Sequence, residues 1–331
     1  MWVPKNYKDK LDYCETELLI KFVKDHFERN LAYELDLMRV SAPLFVKNNS
    51  GLNDNLSGKE RPVHFDARGI DEELEVVHSL AKWKRMALHQ YDYHHHGIYT
   101  DMNAIRRDED VDNIHSFYVD QWDWEKIITK EERNLDTLKD TVRKIIRALK
   151  RTETELLERC PRLERIIDED VFFITTQELE DVFPELDSKE RENAITRLHH
   201  TVCLMQIGDD LRSGKPHDNR APDYDDWSLN CDILVYYPIF DTAVEISSMG
   251  IRVDRNALLS QLAKANCLSR CELPFHQLLL KEELPLTMGG GIGQSRLCLL
   301  LLNKAHIGEV QACIWPIETI RICQENGIHL L

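Results

Sequence analysis

The sequence predicts an α+β fold in which helices flank a largely antiparallel sheet. Three observations favour this class: a helical apolar pattern opens the chain, strand-like runs cluster in the middle and again after residue 200, and an apolar helical pattern lies near its end. The strands do not alternate regularly with helices, as a doubly wound parallel sheet would require. No linker rich in Pro, Gly or Ser divides the chain, so we expect one domain over residues 1–331 with a helical insertion near 130–200.

The first third of the chain contains two predicted helices and a broken strand. Apolar residues recur every three or four positions over residues 14–35, which is the spacing of an amphipathic helix. The strand-like run at 37–45 contains Pro43, which suits a sheet edge or an interface because proline cannot donate to a ladder. Residues 79–89 follow as a second helix with Ser79 at its N-cap.

The rest of the chain mixes strand-like and helical patterns without a regular order. An acidic linker at 108–112 separates the first two strands, and a glycine cluster at 289–293 precedes the last helix. The predicted elements are strands at 98–106 and 114–123, helices at 131–159 and 187–200, strands at 202–207, 232–237 and 242–247, and helices near 255–265 and at 294–302.

Composition and charge exclude several classes of protein. The chain has 58 Asp and Glu against 42 Lys and Arg, and a net charge of −16 argues against broad binding of nucleic acid. The longest apolar run, 297–302, is far shorter than the ~20 residues that span a bilayer, and no apolar signal core follows the N-terminus. Nine cysteines without a C-x-x-C pair predict reduced, mostly buried thiols in a cytoplasmic protein.

Two arginine motifs could bind phosphate, although no P-loop or G-x-G-x-x-G motif is present. Arg106 ends a predicted strand beside carboxylates, where a guanidinium can grip phosphate in bidentate fashion; the alternative is a solvated hairpin tip with local ion pairs. The glycines at 289–293 let a backbone approach a flat ligand closely, and Arg296 follows one helical turn later. The alternative for this second motif is a flexible turn before a core helix.

Two polar segments could complete a binding site. Asp232 and Glu245 stand within apolar strand-like runs, where an acid needs a partner. Mg²⁺ bridging the phosphates of ATP is one such partner, and a buried arginine such as Arg252 is the alternative. The segment 118–124 interleaves aromatic residues with Gln and Asp, which suits a polar pocket wall or a half-exposed strand. Consecutive residues rarely converge on one ion, so His94–His96 is predicted to be a mobile surface loop.

Together these motifs resemble those of the class II aminoacyl-tRNA synthetases. Pro43 would match the proline at the dimer interface, Arg106 the arginine on the α-phosphate of ATP, and Arg296 the arginine of the third motif. The sequence is more similar still to one offshoot, the ammonia-dependent aspartate–ammonia ligase (asparagine synthetase A) family. The resemblance covers nearly the whole chain and departs at the short segment after Trp227 and at His94–His96. The matching strings are 54–58, 75–85, 118–125, 220–227, 232–235, 245–253 and 289–297.

This resemblance implies a fold, a reaction and a set of site residues. The fold is a class II synthetase-like antiparallel sheet flanked by helices, in a cytoplasmic homodimer with a single catalytic domain. The reaction is L-aspartate + ATP + NH₃ → L-asparagine + AMP + diphosphate through a β-aspartyl-adenylate, with Mg²⁺ as cofactor and no nucleic-acid or membrane partner. The alternative is a class II synthetase-like core that activates aspartate or asparagine for tRNA.

Each implied role belongs to a position that matches a motif. Arg106 would stabilise charge at the α-phosphorus and Arg296 would fix ATP, whereas Asp54 would be the acid/base for ammonia. The other ATP-binding residues would be Glu109, Gly291 and Gly293, and Asp232 with Glu245 would hold Mg²⁺. The residues implied for aspartate binding are Ser79, Lys84, Gln121, Asp123, Asp225, Ser248 and Arg252.

Overall fold

A large mixed sheet forms the centre of the computed structural model, which describes residues 2–5, 7–54, 56, 60–91 and 97–331. Its strands, in spatial order, are β1 (Leu37–Arg39), β5 (Gly97–Ile105), β6 (Tyr118–Ile127), β11 (Thr287–Gly293), β10 (Thr242–Arg252), β9 (Asp225–Tyr237), β8 (Thr201–Met205) and β7 (Val171–Thr175). All pairings from β5 to β8 are antiparallel, and only the edge strands β1 and β7 pair in parallel among these residues. The predicted α+β class with a largely antiparallel sheet is confirmed.

Helices and a small second sheet surround the large one. The small sheet pairs β2 (Phe45–Lys47), β4 (Leu74–Val76) and β3 (His64–Phe65) in that order. The helices are α1 (Tyr13–Leu35), α2 (Ala81–Tyr91), α3 (Leu135–Arg159), α4 (Thr176–Val182), α5 (Ser188–His199), α6 (Arg255–Lys264), α7 (Pro274–Leu280), α8 (Gln294–Leu301) and α9 (Ile317–Glu325).

The predicted helices are confirmed, but some of their ends differ. Helix α2 begins at Ala81, two residues after Ser79, so the prediction of Ser79 as its N-cap is wrong. Helix α3 begins at Leu135 instead of 131 because the Asn134 side chain accepts a hydrogen bond from the Thr137 amide and caps it there. The strand predicted from 114 begins only at Tyr118, because Asp112 accepts hydrogen bonds from the Ile114 and His115 amides and holds that segment in a loop. The sequence prediction missed the strands β3, β4 and β7 and the helices α4, α7 and α9.

The main core lies on the face of the large sheet that helices α1 and α3 cover. Phe27 of α1 packs against Trp122 of β6 with 4.7 Å between ring centroids, and Trp124 lies in the same cluster. Successive side chains of a strand point to opposite faces, so Gln121 and Asp123 project to the other side of the sheet. Strand β6 therefore supplies the core with one face and leaves polar side chains on the other.

The glycine cluster forms part of a central strand and not a flexible turn. A Cβ atom on Gly290 would lie 2.5 Å from Met249 Cβ, and one on Gly291 would lie 2.5 Å from Gln121 Oε1. Both contacts are shorter than van der Waals packing allows. The flexible Gln121 side chain could move away, but Met249 Cβ is fixed by β10, so the sheet needs glycine at position 290. The turn that was the alternative interpretation of 289–293 is wrong, because β11 lies between β6 and β10.

Two further expectations concern the cysteines and the membrane. All nine cysteines are free thiols, and five of them are buried, in agreement with the predicted reduced state. No helix among the described residues combines the length and the apolar character needed to span a bilayer.

Near the C-terminus, Glu309 is a buried carboxylate with a perturbed pKa. It accepts hydrogen bonds from Tyr7 Oη at 2.8 Å, from the Ala305 amide at 2.7 Å and from the His306 amide at 2.9 Å. Burial raises the pKa of Glu309 from 4.5 to about 7, although Lys304 opposes the shift. The folded chain therefore retains a proton here that an unfolded chain would release.

We expect Glu309→Gln to gain stability over wild type as the pH rises. The folded-state pKa lies above the unfolded value, so wild-type stability from this group is lost between about pH 4.5 and about pH 7. The unfolding free energy of the variant should increase relative to wild type by roughly 3 kcal/mol across this interval. Urea unfolding of both proteins over this range measures the difference in unfolding free energy. His306 is present in both proteins, so its own titration cancels in the comparison. A difference that does not change with pH would contradict the shift.

Candidate active site

A polar cavity of about 500 Å³ opens on the sheet face opposite helices α1 and α3. Its walls come from β6, β10 and β11, from the loop after β5 and from residues 218–225. The structure brings thirteen predicted site residues together around it. These are Asp54, Ser79, Arg106, Glu109, Gln121, Asp123, Asp225, Glu245, Ser248, Arg252, Gly291, Gly293 and Arg296. Lys84 and Asp232, also predicted, do not line the cavity.

Arg106 lines this cavity and has one donor atom without a partner among the described residues. It follows the end of β5, where its backbone amide donates to the Phe117 carbonyl at 2.8 Å. Its Nε atom is buried and has no hydrogen-bond partner among the described residues, and Glu109 Oε2 is 3.9 Å from its Nη1. The Arg106 side chain is partly exposed, but its buried Nε donor lacks an acceptor. This placement favours a phosphate ligand over a solvated, ion-paired hairpin tip.

Arg296 lines the cavity against β10 and has no ion-pair partner in the described part of the chain. Its Nη1 donates to the Glu245 carbonyl at 2.9 Å, and its Nη2 lies 3.5 Å from the Ile114 carbonyl. Both contacts are to neutral oxygens, so the positive charge of the guanidinium is not neutralised within this site. Two arginines thus face one cavity, Arg106 with a single 3.9 Å ion pair and Arg296 with none in the described part of the chain, an arrangement that suits a polyphosphate ligand.

A buried network of charges forms the floor of the cavity. Arg252 Nε donates to Glu125 at 3.0 Å, Nη2 donates to the same carboxylate at 2.6 Å, and Nη1 contacts Asp225. Burial alone would raise the pKa of Glu125, but Arg252 lowers it below its ordinary value. Burial raises the pKa of Asp225 despite the same arginine. Arg252 therefore holds one carboxylate ionised and orients a second.

Lys84 lies beneath this floor. It is completely buried, contacts Asp123 and donates to the Trp124 carbonyl at 2.9 Å. Burial lowers the pKa of Lys84, and Asp123 opposes that effect. Lys84 therefore orients the Asp123 carboxylate from below. It is not placed to contact a ligand in the cavity directly.

Asp54 is held by a short buried loop on the opposite wall. Asn53 Oδ1 accepts from the Asp54 amide at 2.9 Å and from the His78 amide at 2.8 Å. Asp54 Oδ1 in turn accepts a hydrogen bond from the Leu56 amide at 2.8 Å, and Asp54 is 2% exposed. The rest of the 54–58 string, apart from Leu56, lies outside the described residues, as does His94–His96.

Asp232 and Glu245, the two acids predicted to bind metal, have different surroundings: Glu245 lines the cavity and Asp232 does not. Asp232 pairs through Oδ2 with Arg220, whereas its Oδ1 is buried without a partner among the described residues. Burial raises the pKa of Asp232; Arg220 opposes this shift and Glu245 adds to it. The arginine matched to Asp232 is therefore Arg220, and the suggestion of Arg252 is wrong. Within the described ranges no group of three or more potential ligands forms a metal cluster.

Several cavity residues were not singled out from the sequence. Arg220 could have been found from the sequence. It begins the string 220–227 that also contains Asp225, and the acid at Asp232 within an apolar run needs a basic partner. Ser116 and Gln311 are isolated polar residues far apart in the chain, and nothing in the sequence indicates that both line the cavity.

Several solved structures of tRNA synthetases have this fold. The asparaginyl-tRNA synthetase of Pyrococcus horikoshii, complexed with asparaginyl-adenylate, superposes with a TM-score of 0.66 at 14% identity, covering 91% of this chain and 70% of that one. The aspartyl-tRNA synthetase of Entamoeba histolytica gives a TM-score of 0.61 at 14% identity, covering 90% and 58%. At such identity the likeness establishes the fold, which is class II synthetase-like as predicted.

Sequence comparison identifies the family within this fold. The family model for aspartate-ammonia ligase matches residues 14–327. The aspartate–ammonia ligase of Clostridium perfringens strain SM101 is 61% identical over 100% of this chain and 99% of its own length. That of Clostridium tetani is 60% identical over 99% and 97%, and that of Lactobacillus acidophilus is 58% identical over 99% of each. The chain therefore belongs to the aspartate–ammonia ligase family.

Proposed function

We propose that the cavity makes L-asparagine from L-aspartate, ATP and ammonia, releasing AMP and diphosphate through a β-aspartyl-adenylate. Membership of the family makes the chain a ligase that forms a C–N bond in asparagine synthesis. The observation that supports the adenylate route is that one cavity combines a cluster of acids with Arg106, whose Nε has no partner among the described residues, and Arg296, which has no ion pair among them.

In the first step, Arg106 would stabilise the charge that develops at the α-phosphorus. Hydroxide is a poor leaving group, so the β-carboxylate must first be activated. One of its oxygens attacks the α-phosphorus, the bond to the β-phosphate oxygen breaks, and diphosphate leaves. Preorganised donors are most effective where charge increases in the transition state, and the free Nε of Arg106 suits that role. Arg296, with Glu109, Gly291 and Gly293, would hold the nucleotide.

The floor of the cavity would recognise aspartate. Asp123 and Asp225 would bind its ammonium group, with Gln121 beside them. Arg252 and Lys84 would supply positive charge near its carboxylates. Ser79 and Ser248 would donate hydrogen bonds, the latter from β10. The existing ion pairs beneath these acids fix their orientation before the substrate arrives.

In the second step, ammonia attacks the acyl carbon of the adenylate. The nitrogen forms the new C–N bond, the C–O bond to phosphate breaks, and AMP leaves. Ammonia enters as NH₃, and the product nitrogen must lose a proton. Asp54 would accept this proton, because its buried loop holds the carboxylate at the cavity wall.

Magnesium is the metal that this chemistry implies, because Mg²⁺ sites commonly combine one or two carboxylates with substrate phosphates. Glu245 at the cavity wall would hold the ion together with Oδ1 of Asp232, which has no partner among the described residues although Oδ2 pairs with Arg220 behind the wall. When bound, the ion neutralises charge on the leaving diphosphate.

The proposed assembly is a homodimer of single-domain chains, each a catalytic domain with the segment from α3 to α5 as its helical insertion. Leu18 and Tyr33 on α1 are 63% and 77% exposed, which supports an interface on this helix beside β1 and Pro43.

A product assay tests the proposed function. The purified chain with ATP, Mg²⁺, L-aspartate and ammonium should form asparagine and AMP in equal amounts, and added tRNA should change neither. Chromatography separates both products. Formation of ADP would contradict the adenylate route, and diphosphate exchange that yields product only with tRNA would support the synthetase alternative.

A further inference from the structure

Asp120 is a buried carboxylate that caps helix α8 from a neighbouring strand. Its Oδ1 accepts a hydrogen bond from the Ser295 amide at 3.0 Å, and its Oδ2 accepts one from Ser295 Oγ at 2.8 Å. The residue before the helix, Gly293, offers no side-chain cap. Because the first amides of a helix lack intrahelical acceptors, a carboxylate from β6 replaces the missing local cap.

Two further side chains hold this cap in place. Gln311 Nε2 donates to Ser295 Oγ at 3.0 Å and to Asp120 Oδ1 at 3.3 Å. Ser116 Oγ lies 2.5 Å from Gln311 Oε1. Asp120, Ser116, Ser295 and Gln311 are all at most 5% exposed, so little water competes for these bonds. The start of α8 is thereby fixed by two other parts of the chain, the segment 116–120 and Gln311.

We propose that Asp120 is a positioning residue that places Arg296 for nucleotide binding; this inference rests on the proposed function. Arg296 is the next residue after Ser295, and its guanidinium contacts only neutral carbonyls, those of Glu245 and Ile114, within the described structure. Neutral acceptors fix a guanidinium less firmly than a carboxylate would. The orientation of Arg296 therefore depends on the backbone of α8, which Asp120 anchors.

Lys24 extends this anchor to helix α1. Its Nζ lies 2.9 Å from Asp120 Oδ2 and supplies the positive charge that a buried carboxylate needs. Helix α1 is the element that we place at the dimer interface. Asp120 thus joins the proposed interface helix to the helix that carries Arg296.

The test compares binding of α,β-methylene-ATP, by titration calorimetry, with steady-state kinetics. Asp120→Asn should weaken binding and raise the KM for ATP by about tenfold, because small displacements of a positioned group are costly, and leave the KM for aspartate within twofold. Ser295→Ala should shift the same two quantities in the same direction by a smaller factor. Ser295 does not line the cavity, so this variant reports on the helix even if Asp120→Asn fails to fold.

Two controls separate positioning from general damage. Asp101 accepts from Gln294 Nε2 at 2.8 Å at the same helix start, and Asp101→Asn should leave ATP affinity unchanged. Combining Asp120→Asn with Arg296→Lys should weaken binding less than the product of the two single effects, as residues that act together do. Unchanged ATP binding in Asp120→Asn, equal losses for ATP and aspartate, or multiplicative effects would overturn the inference. Calorimetry with α,β-methylene-ATP gives the first and third of these outcomes even if wild type forms no asparagine, a result that overturns only the proposed function.

Discussion

Replacing Arg106 by alanine is expected to lower kcat/KM for asparagine formation by about 10³-fold. The guanidinium contributes an unpartnered buried donor to the cavity, and alanine leaves the α-phosphorus without it. Folding should be almost unaffected, because Arg106 makes only one ion pair within the described residues, and its Nη1 is 3.9 Å from Glu109 Oε2 in that pair. A coupled assay for AMP measures the rate, and thermal melting measures the stability.

Arg107 provides a matched control for this result. It is the adjacent arginine, it is exposed, and it does not line the cavity. Arg107→Ala changes the net charge of the same loop by the same amount and should retain near wild-type activity. Equal losses in the two variants would attribute the effect to the general field of the loop and would contradict a direct role for Arg106.

Replacing Arg252 by methionine is expected to destabilise the chain by about 3–5 kcal/mol. The arginine is 2% exposed and contacts the buried carboxylates of Glu125 and Asp225. Methionine has a similar volume but leaves both acids without their shared cation. A buried charge that loses its partner costs far more than an exposed one, so urea unfolding should show a large fall in midpoint.

The control for this second result is an arginine that makes as many ion pairs as Arg252 but whose side chain is exposed to solvent. Arg321 contacts Glu318 and Glu325 on the surface of α9, and Arg321→Met should leave the unfolding midpoint almost unchanged. Comparable losses for the two variants would show that burial does not set the value of these ion pairs. A stable Arg252→Met that still binds aspartate would also remove the basis for its role in the cavity floor.

Local chemistry explains which parts of the fold could be predicted from the sequence. Helices α1 and α3 bury one continuous apolar stripe, which a periodic sequence pattern records directly. The glycine strand β11 could not be distinguished from a turn, because its conformation depends on Met249 and Gln121 in neighbouring strands. Strand β7 alternates weakly and takes its place at the sheet edge only by pairing with β8.

In the candidate site, too, local sequence patterns could be predicted and contacts between distant residues could not. Motif resemblance selected the thirteen residues that do line the cavity, because short strings preserve their local spacing. It could not show that Lys84 would be enclosed beneath Asp123, since that contact joins residues 39 positions apart. The anchor between Asp120 and Ser295 spans 175 positions and leaves no local pattern at all.

The two faces of β6 limit how this protein can change during evolution. Trp122 and Trp124 fill the core, whereas Gln121 and Asp123 face the cavity from the same strand. Inserting or deleting one residue within the strand would exchange these faces, placing carboxylates in the core and indoles in the site. Because folding and activity would be lost together, divergence of this strand is restricted to substitutions, and changes in length must accumulate in loops.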